Sequence, residues 1–294
     1  MREKVEYGVL QLFLFMARIT PKRCLYAVIR GATMSAYHLG VKRRRMTLSN
    51  LSLAFPDKTS QEVEELAKAV YRNLSETITE ILLMYVGRFD IDEAVINKDE
   101  AIQKIEWLKI RAKHGIVVIT AHFSNWELAA HFLAKHGLPM LAVGREGNNK
   151  LIDSHVTVPF RNKYGNRATT KKKAMLAMAK ALKNGETVGL LIDQKAGENN
   201  SAKVDFFGVP AETTLSVALL KQKFDPLIVP VFIVREARGQ YRMLIEPPID
   251  DCADASQDEE AQRVAMTACY SAAIEKVIRT YPQQWFWMHN RWRR

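Results

Sequence analysis

Cysteine is scarce in this chain of 294 residues, and so are long uninterrupted apolar runs. The three cysteines, Cys24, Cys252 and Cys269, are odd in number and widely spaced, so they predict neither a disulfide framework nor a metal cluster. Such usage suits the cytosol or the cytosolic face of a membrane. The apolar stretch at residues 9–17 falls well below the roughly 20 residues of a membrane-spanning helix, and no cleavage site of small residues marks it as a signal peptide.

Several motifs of known chemistry are missing as well. The chain has no Gly-x-Ser-x-Gly elbow and no P-loop, which argues against covalent hydrolysis and nucleotide hydrolysis. His114, His131 and His136 do not combine with His122 into a clean metal-ligand pattern, so we predict no metal and no cofactor. We expect His131 and His136 on the surface of a helix. Without any RNA- or DNA-binding motif, we also predict no nucleic-acid partner.

The chain does carry an excess of positive charge, since 43 Lys and Arg against 32 Asp and Glu leave a net charge of +11. Such a balance favours an anionic partner, which is a nucleic acid, an anionic membrane or an acidic protein. The alternative is a soluble basic protein without such a partner. The C-terminal stretch is both aromatic and basic, and it either sits at a membrane interface or packs the end of the domain. Its members are Trp285, Trp287, Arg291, Trp292, Arg293 and Arg294.

The first 45 residues contain two apolar helical segments, at residues 9–17 and 25–39, with basic residues between and after them. The basic cluster at residues 42–45 follows the second segment. This pattern is typical of helices that lie in a membrane surface, although a helical hairpin packed on the core would read similarly. We therefore predict a membrane-anchor segment at residues 1–45 and an α/β domain at residues 46–294.

A long amphipathic helix at residues 60–86, ended by Gly87, precedes the α/β domain's alternating elements, and a surface helix follows at residues 99–113. Strands then alternate with helices, which predicts a mainly parallel or mixed central sheet flanked by helices, with an antiparallel last pair. The predicted strands are residues 116–120, 139–143, 187–192, 227–234 and 241–246. The predicted helices are residues 125–136, 149–164, 171–183, 212–223 and 256–279.

His122 and Glu127 follow the first of these strands, at the edge where open α/β sheets place their ligands. Within one helix, residues five apart point about 140° away from each other, so the two side chains meet only if His122 precedes the helix. Ser124 is a suitable N-cap, which puts Glu127 in the first turn. The pair then suits a general base whose second ring nitrogen is held by a carboxylate. The alternative is that Ser124 and Glu127 form only a capping box.

The segment Ala-His-Phe-Ser-Asn-Trp-Glu-Leu at residues 121–128 resembles the His-x4-acid motif of the lipid A biosynthesis acyltransferases. This family of lauroyl and myristoyl acyltransferases includes the mycobacterial phosphatidylinositol mannoside acyltransferases. The resemblance covers nearly the whole chain in order. The further segments are residues 50–56, residues 144–149 with Arg161 and Gly165, residues 190–194 (Leu-Leu-Ile-Asp-Gln), residues 206–214 (with Phe-Phe-Gly) and residues 281–292.

The resemblance implies an acyltransferase that moves a fatty acyl chain from an acyl carrier protein, or from coenzyme A, to a hydroxyl of a lipid A precursor. The place of work would be the cytoplasmic face of the anionic inner membrane. One alternative is acylation of another glycolipid, such as a phosphatidylinositol mannoside. An alternative of a different class is a non-catalytic basic protein that binds membranes.

The resemblance also implies roles for single residues. His122 would deprotonate the acceptor hydroxyl and Glu127 would orient it. Arg145 and Arg161 would bind phosphates of the acceptor or of the donor's pantetheine arm, or else form surface salt bridges.

Three other polar residues are candidates for the same site. Asp193, supported by Gln194, would contact His122 or acceptor hydroxyls, or cap a turn. Oxyanion donors are Asn125, backbone N–H groups or an arginine. The lysines at residues 171–173 either form a solvated face or dock an acidic carrier protein.

Overall fold

The strands at the centre of the sheet are buried runs rich in β-branched residues, as parallel strands covered on both faces require. The computed structural model describes residues 1–144, 147–170, 174–197, 200–250, 252–254, 256 and 258–292. The strands are β1 (Ile116–Thr120), β2 (Met140–Gly144), β3 (Arg167–Thr170), β4 (Thr187–Leu191), β5 (Ser201–Phe206), β6 (Val209–Thr214), β7 (Leu227–Ala237) and β8 (Gln240–Ile245).

The six-stranded sheet has the order β3-β2-β4-β1-β7-β8. β1 pairs in parallel with β4 on one side and β7 on the other, while β7 and β8 are antiparallel. The prediction of a mainly parallel sheet with an antiparallel last pair is confirmed. Because β1 and β4 are parallel neighbours, the residues that follow their carboxyl ends meet at one edge of the sheet.

Helices cover the sheet and precede it. They are α1 (Arg2–Ile19), α2 (Lys22–Leu39), α3 (Val41–Ala54), α4 (Ser60–Tyr85), α5 (Ile91–Ala94), α6 (Lys98–Arg111), α7 (Trp126–Lys135), α8 (Lys150–Ile152), α9 (Val158–Arg161), α10 (Ala174–Lys183), α11 (Ser216–Phe224) and α12 (Glu259–Thr280). α4 begins at a capping box, in which Thr59 and Glu62 bond each other's backbone N–H groups. It ends before Gly87, whose φ of 73° suits glycine.

Two predicted helices differ from the structure. The helix expected at residues 212–223 begins only at Ser216, because residues 209–214 form β6 and pair with β5 in a separate hairpin. Phe207 and Gly208 turn this hairpin with positive φ values of 58° and 73°, as a tight two-residue turn requires. The helix expected at residues 149–164 is broken into α8, a π-helical turn and α9, because Pro159 has no N–H to continue the ladder.

Cys252 and Cys269 form a disulfide, so the prediction that the cysteines are unpaired is wrong for these two. Their Cα atoms lie 5.9 Å apart although 17 residues separate them in sequence. The segment before α12 folds back along that helix, and this return cannot be read from cysteine spacing. Cys24 is free and exposed.

The N-terminal helices are attached to the domain by one face. Ala17 of α1 and Leu25 and Ile29 of α2 pack against Leu82 and Leu83 of α4. The opposite face of α1 leaves seven large apolar side chains exposed: Val5, Val9, Leu12, Phe13, Phe15, Met16 and Ile19. No helix in the described part of the chain has the length and hydropathy that a membrane crossing requires. The predicted boundary at residue 45 falls inside α3.

Candidate active site

His122 lies in the turn between β1 and α7, outside the helix as predicted. The N-cap, however, is Asn125, whose side-chain oxygen accepts a hydrogen bond from Leu128 N at 3.1 Å. The prediction that Ser124 caps the helix is wrong, because Ser124 has a φ of 50° and an N-cap adopts extended backbone. The Ser124–Glu127 capping box therefore does not form.

Asp193, two residues beyond β4, holds His122 at two points. Its Oδ1 lies 2.9 Å from His122 Nδ1, and its Oδ2 accepts the backbone N–H of His122 at 3.0 Å. A carboxylate beside Nδ1 assigns the ring proton to that nitrogen, which leaves the lone pair on Nε2 as the base. The structure thus confirms the contact between Asp193 and His122.

The carboxylate of Asp193 is fully buried and still ionised. Burial raises its pKa, but attraction by His122 and hydrogen bonds from His122 and from Trp285 outweigh burial, so the pKa lies below its usual value. Trp285 donates Nε1–H to Oδ2 at 2.8 Å. Three donors therefore hold one anion in the position that orients the imidazole.

The motif predicted that Glu127 orients His122, but in the structure Glu127 has a different partner. Its Oε1 accepts two hydrogen bonds from Arg161, from Nε at 3.2 Å and Nη2 at 2.8 Å. The first turn of α7 points this carboxylate toward α9, whereas the ring of His122 faces β4. The two residues thus belong to two adjacent pairs, His122 with Asp193 and Glu127 with Arg161.

The C-terminal segment closes over the His122 turn. Phe286 N–H donates to the carbonyl of His122 at 3.0 Å, and Ser124 N–H donates to the carbonyl of Gln284 at 2.7 Å. Trp285 is buried, and its backbone forms an antiparallel β-bridge with Phe123. The tryptophans of this stretch therefore pack the end of the domain, which was one of the two alternatives.

A small pocket opens beside His122, between the turn, the C-terminal segment and α4. Asn73 and Thr77 of α4 line it together with Trp126 and Trp285. The His122 ring is 27% exposed and packs edge-on against Trp126 at 5.3 Å. A substrate hydroxyl in this pocket would therefore lie beside an imidazole whose Nδ1 is held by Asp193.

The other predicted site residues have mixed outcomes. Asn125 is fully buried, its side-chain oxygen caps α7 and its amide nitrogen contacts the sulfur of Met84 at 4.0 Å, so the amide does not face the pocket as an oxyanion donor. Gln194 is partly exposed next to Asp193 and makes no hydrogen bond to the part of the chain that the structure describes. Arg145 lies outside the described residues, as do Arg293, Arg294 and the lysines at residues 171–173.

The two histidines of α7 are not free surface residues. His131 is buried, and its ring nitrogens contact the carbonyl oxygens of Glu127 at 2.7 Å and of Phe160 at 2.9 Å. It thereby ties the helix of Glu127 to the helix of Arg161. His136 pairs with Asp92 at 2.9 Å. Among the described residues no cluster of three or more metal-ligating side chains occurs.

Sequence reasoning missed the roles of Trp285, Gln284 and Thr77 at the pocket. The only signal for the first two was their place in the C-terminal segment of the resemblance. Thr77 interrupts the apolar stripe of α4, and a polar side chain that a helix buries on its packed face is such a signal.

Comparison with known proteins agrees with this geometry. The model of a family described as bacterial lipid A biosynthesis acyltransferase matches residues 5–294. A lipid A biosynthesis acyltransferase of Haemophilus influenzae is 30% identical over 261 residues, covering 87% of this chain and 80% of the relative. A lipid A biosynthesis lauroyltransferase of Escherichia coli is 27% identical, with 93% and 86% covered. A lipid A biosynthesis palmitoleoyltransferase of Escherichia coli is 27% identical, and the match covers 98% of this chain and 90% of the relative.

Proposed function

The chain belongs to the bacterial lipid A biosynthesis acyltransferase family, and we propose that it transfers a fatty acyl chain from an acyl carrier protein, or from acyl-CoA, to a hydroxyl of a lipid A precursor. Its relatives are acyltransferases by name, so the chain is an acyltransferase. The observation that carries the mechanism is the His122–Asp193 pair at the pocket. The relatives' names differ in the acyl chain they specify, so the chain length is not part of the proposal.

In the proposed reaction His122 is the general base. Nε2 takes the proton of the acceptor hydroxyl as that oxygen attacks the thioester carbonyl. Asp193 stabilises the imidazolium that forms. When the tetrahedral intermediate collapses, the carbon–sulfur bond breaks and the imidazolium returns the proton to the departing thiolate. Since the acceptor supplies the attacking oxygen, the protein needs no nucleophile of its own.

Glu127 has a different role from the one the motif suggested. It holds the guanidinium of Arg161 by two hydrogen bonds, while Arg161 remains 42% exposed. A guanidinium fixed on one side and open on the other suits a phosphate group. We assign Arg161 to a phosphate of the acceptor or of the donor's pantetheine arm, and on the resemblance alone we propose the same role for Arg145. Backbone N–H groups or Arg161 then supply the oxyanion donors, because the amide nitrogen of Asn125 is buried against the sulfur of Met84.

The acceptor is a lipid, and the N-terminal segment supports work at a membrane. α1 turns seven large apolar side chains outward, and Arg18, Lys22 and Arg23 lie where it meets α2. An apolar helix face flanked by cations lies in the interface of an anionic bilayer. We propose residues 1–45 as the membrane anchor, residues 46–294 as the acyltransferase domain, and the cytoplasmic face of the inner membrane as the location.

The test compares His122→Ala with His114→Ala, an exposed histidine at the other end of β1. Detergent-purified protein is given a lipid A precursor with acyl carrier protein thioester or acyl-CoA, and the product is measured by mass spectrometry. We expect His122→Ala to lower kcat by at least about 10²-fold and His114→Ala to match wild type. Full activity in His122→Ala would contradict the mechanism, and a wild-type protein inactive with both donors would contradict the proposed function.

A further inference from the structure

A buried ionic cluster lies next to the His122 turn, between α4, α2 and the β7–β8 hairpin. Its centre is the carboxylate of Glu80 on α4, which is fully buried. Tyr26 of α2 donates its hydroxyl to this carboxylate at 3.1 Å and Gly239 its N–H at 2.9 Å. Arg235 and the hydroxyl of Tyr241 donate to it as well. Four donors on three elements thus converge on one anion.

Arg235 extends the cluster toward the site. Its Nε donates to Asn73 at 3.0 Å and its Nη2 to the hydroxyl of Thr77 at 2.8 Å. Its backbone exchanges two hydrogen bonds with the side chain of Gln284, at 2.8 and 2.9 Å. The guanidinium is 6% exposed. Every bond leads to α4 or to the C-terminal segment, which are the two walls of the pocket.

The cluster reaches the turn at the residues between His122 and Glu127. The Thr77 hydroxyl donates to the carbonyl of Ser124 at 3.3 Å, and the Gln284 carbonyl accepts the Ser124 N–H. Both backbone groups of the one left-handed residue of the turn are therefore held by partners of Arg235. Tyr241 also contacts the side chain of Asn125, the N-cap of α7.

We propose that Arg235, together with Glu80 and Thr77, is a positioning group of the active site, which sets the turn so that His122 and Glu127 face their separate partners. A buried ion pair is weak evidence for stability, since apolar residues of similar volume often serve as well. This pair differs because its hydrogen bonds lead to Ser124, whose backbone is strained. Ser124 lies between His122 and Glu127, so its conformation sets the positions of both. The kinetic part of the inference rests on the proposed acyl transfer.

The first test uses two threonines of α4. Thr77→Val removes the hydroxyl that joins Arg235 to Ser124, whereas Thr79→Val removes a buried hydroxyl whose hydrogen bond, among the residues that the structure describes, goes to the Ser75 carbonyl one turn back in the same helix. We expect Thr77→Val to lower kcat by roughly tenfold or more, because a small displacement of a reacting group is costly, with KM for the donor within about twofold of wild type. Thr79→Val should retain wild-type kcat.

A second variant tests whether Thr77 acts only by lining the pocket, because Arg235 does not line it. Arg235→Lys keeps the charge beside Glu80 and loses the planar fork that reaches Asn73 and Thr77 together. We expect a similar loss of kcat, and a double variant with Thr77→Val no slower than the worse single variant, because both break one path. Additive losses, or equal kcat in Thr77→Val and Thr79→Val, would overturn the inference.

A readout without turnover separates this inference from the proposed function. In protein labelled with ¹³C-histidine, the ring carbon of His122 reports its setting against Asp193, whatever the reaction. We expect its chemical shift to move in Thr77→Val and in Arg235→Lys and to stay in Thr79→Val. An unmoved shift in all three variants would contradict the positioning role, even if no acyl transfer is found.

Discussion

Around the His122 turn every backbone group of Ser124 has a partner, and the anion behind the imidazole is fully buried. Along α1, by contrast, Val9, Leu12 and other large apolar side chains point outward. The turn is held by side chains far away in sequence, which fix one geometry. The helix has an apolar face that the described chain does not cover, as expected where a lipid surface is the partner. The rigid turn that carries His122 and the apolar face of α1 thus lie in separate parts of the molecule.

The segment that contains α8 and α9 connects the two regions. Asn149, the N-cap of α8, donates to the Glu3 carbonyl and to the Glu6 carboxylate of α1, both at 2.9 Å. Tyr7 packs against His155, with ring centroids 5.7 Å apart. The segment with α8 and α9, which ends at Arg161, therefore lies between the exposed helix and the turn.

The largest effect is expected at the His122 turn, where Asp193 can be replaced. Asp193→Asn should lower kcat by about 10²- to 10⁴-fold, because an amide neither stabilises the imidazolium nor selects the same tautomer. Asp92→Asn is the matched control, since Asp92 pairs with His136 at 2.9 Å outside the site. Steady-state acyl transfer measures both. Equal rates for Asp193→Asn and wild type would show that the turn does not work through this carboxylate.

A smaller effect is expected between the two regions, at Arg161. Arg161→Ala should raise KM for the phosphorylated acceptor about 10- to 100-fold, since a charge-assisted hydrogen bond is lost. The control Arg167→Ala removes an exposed arginine that pairs with Glu186 and should leave KM unchanged. An acceptor without phosphates should be used equally well by both variants. If Arg161→Ala raises KM for that acceptor by the same factor, the phosphate assignment is wrong.

The helix side of the comparison is tested by Leu12→Glu. Leu12 is 62% exposed on α1, and placing a carboxylate there should weaken binding to anionic vesicles by about tenfold, because one buried leucine contributes about 1.5–3 kcal/mol. Ile110→Glu on α6, where Ile110 is 83% exposed, is the control. Vesicle sedimentation measures binding, and kcat in detergent should not change. Equal binding by the two variants would remove α1 as the membrane-facing element.

The smallest effect concerns pH and the segment that closes over the turn. Burial lowers the pKa of His289 from 6.5, so the folded protein binds fewer protons there than the unfolded chain does. The contribution of His289 to the free energy of unfolding is then fully present above about pH 6.5. It declines as the pH falls below this value toward the pKa of His289 in the folded protein. Asp193 has a lowered pKa too, but its contribution is lost only below about pH 4.

His289→Gln should flatten this decline, seen as a smaller change in the free energy of unfolding between about pH 7 and about pH 5.5. Chemical denaturation of the detergent-solubilised protein measures it. The exposed His114 again offers the control, since His114→Gln should keep the wild-type slope. A wild-type slope in both variants would mean that burial of His289 does not couple folding to pH.

Local patterns in the sequence were sufficient for much of this protein. β1 and α4 followed from the β-branched run at residues 116–120 and from the amphipathic spacing at residues 60–86, because both patterns are set by neighbouring residues. The predicted bounds of the strand at residues 116–120 and of the helix at residues 125–136 also put His122 before α7. Only the tertiary structure decided the partners: Asp193 rather than Glu127 behind His122, and Arg161 beside Glu127. The reason is that β4 lies next to β1 in the sheet while 71 residues separate Asp193 from His122, and strand order is not encoded in the period of any single element.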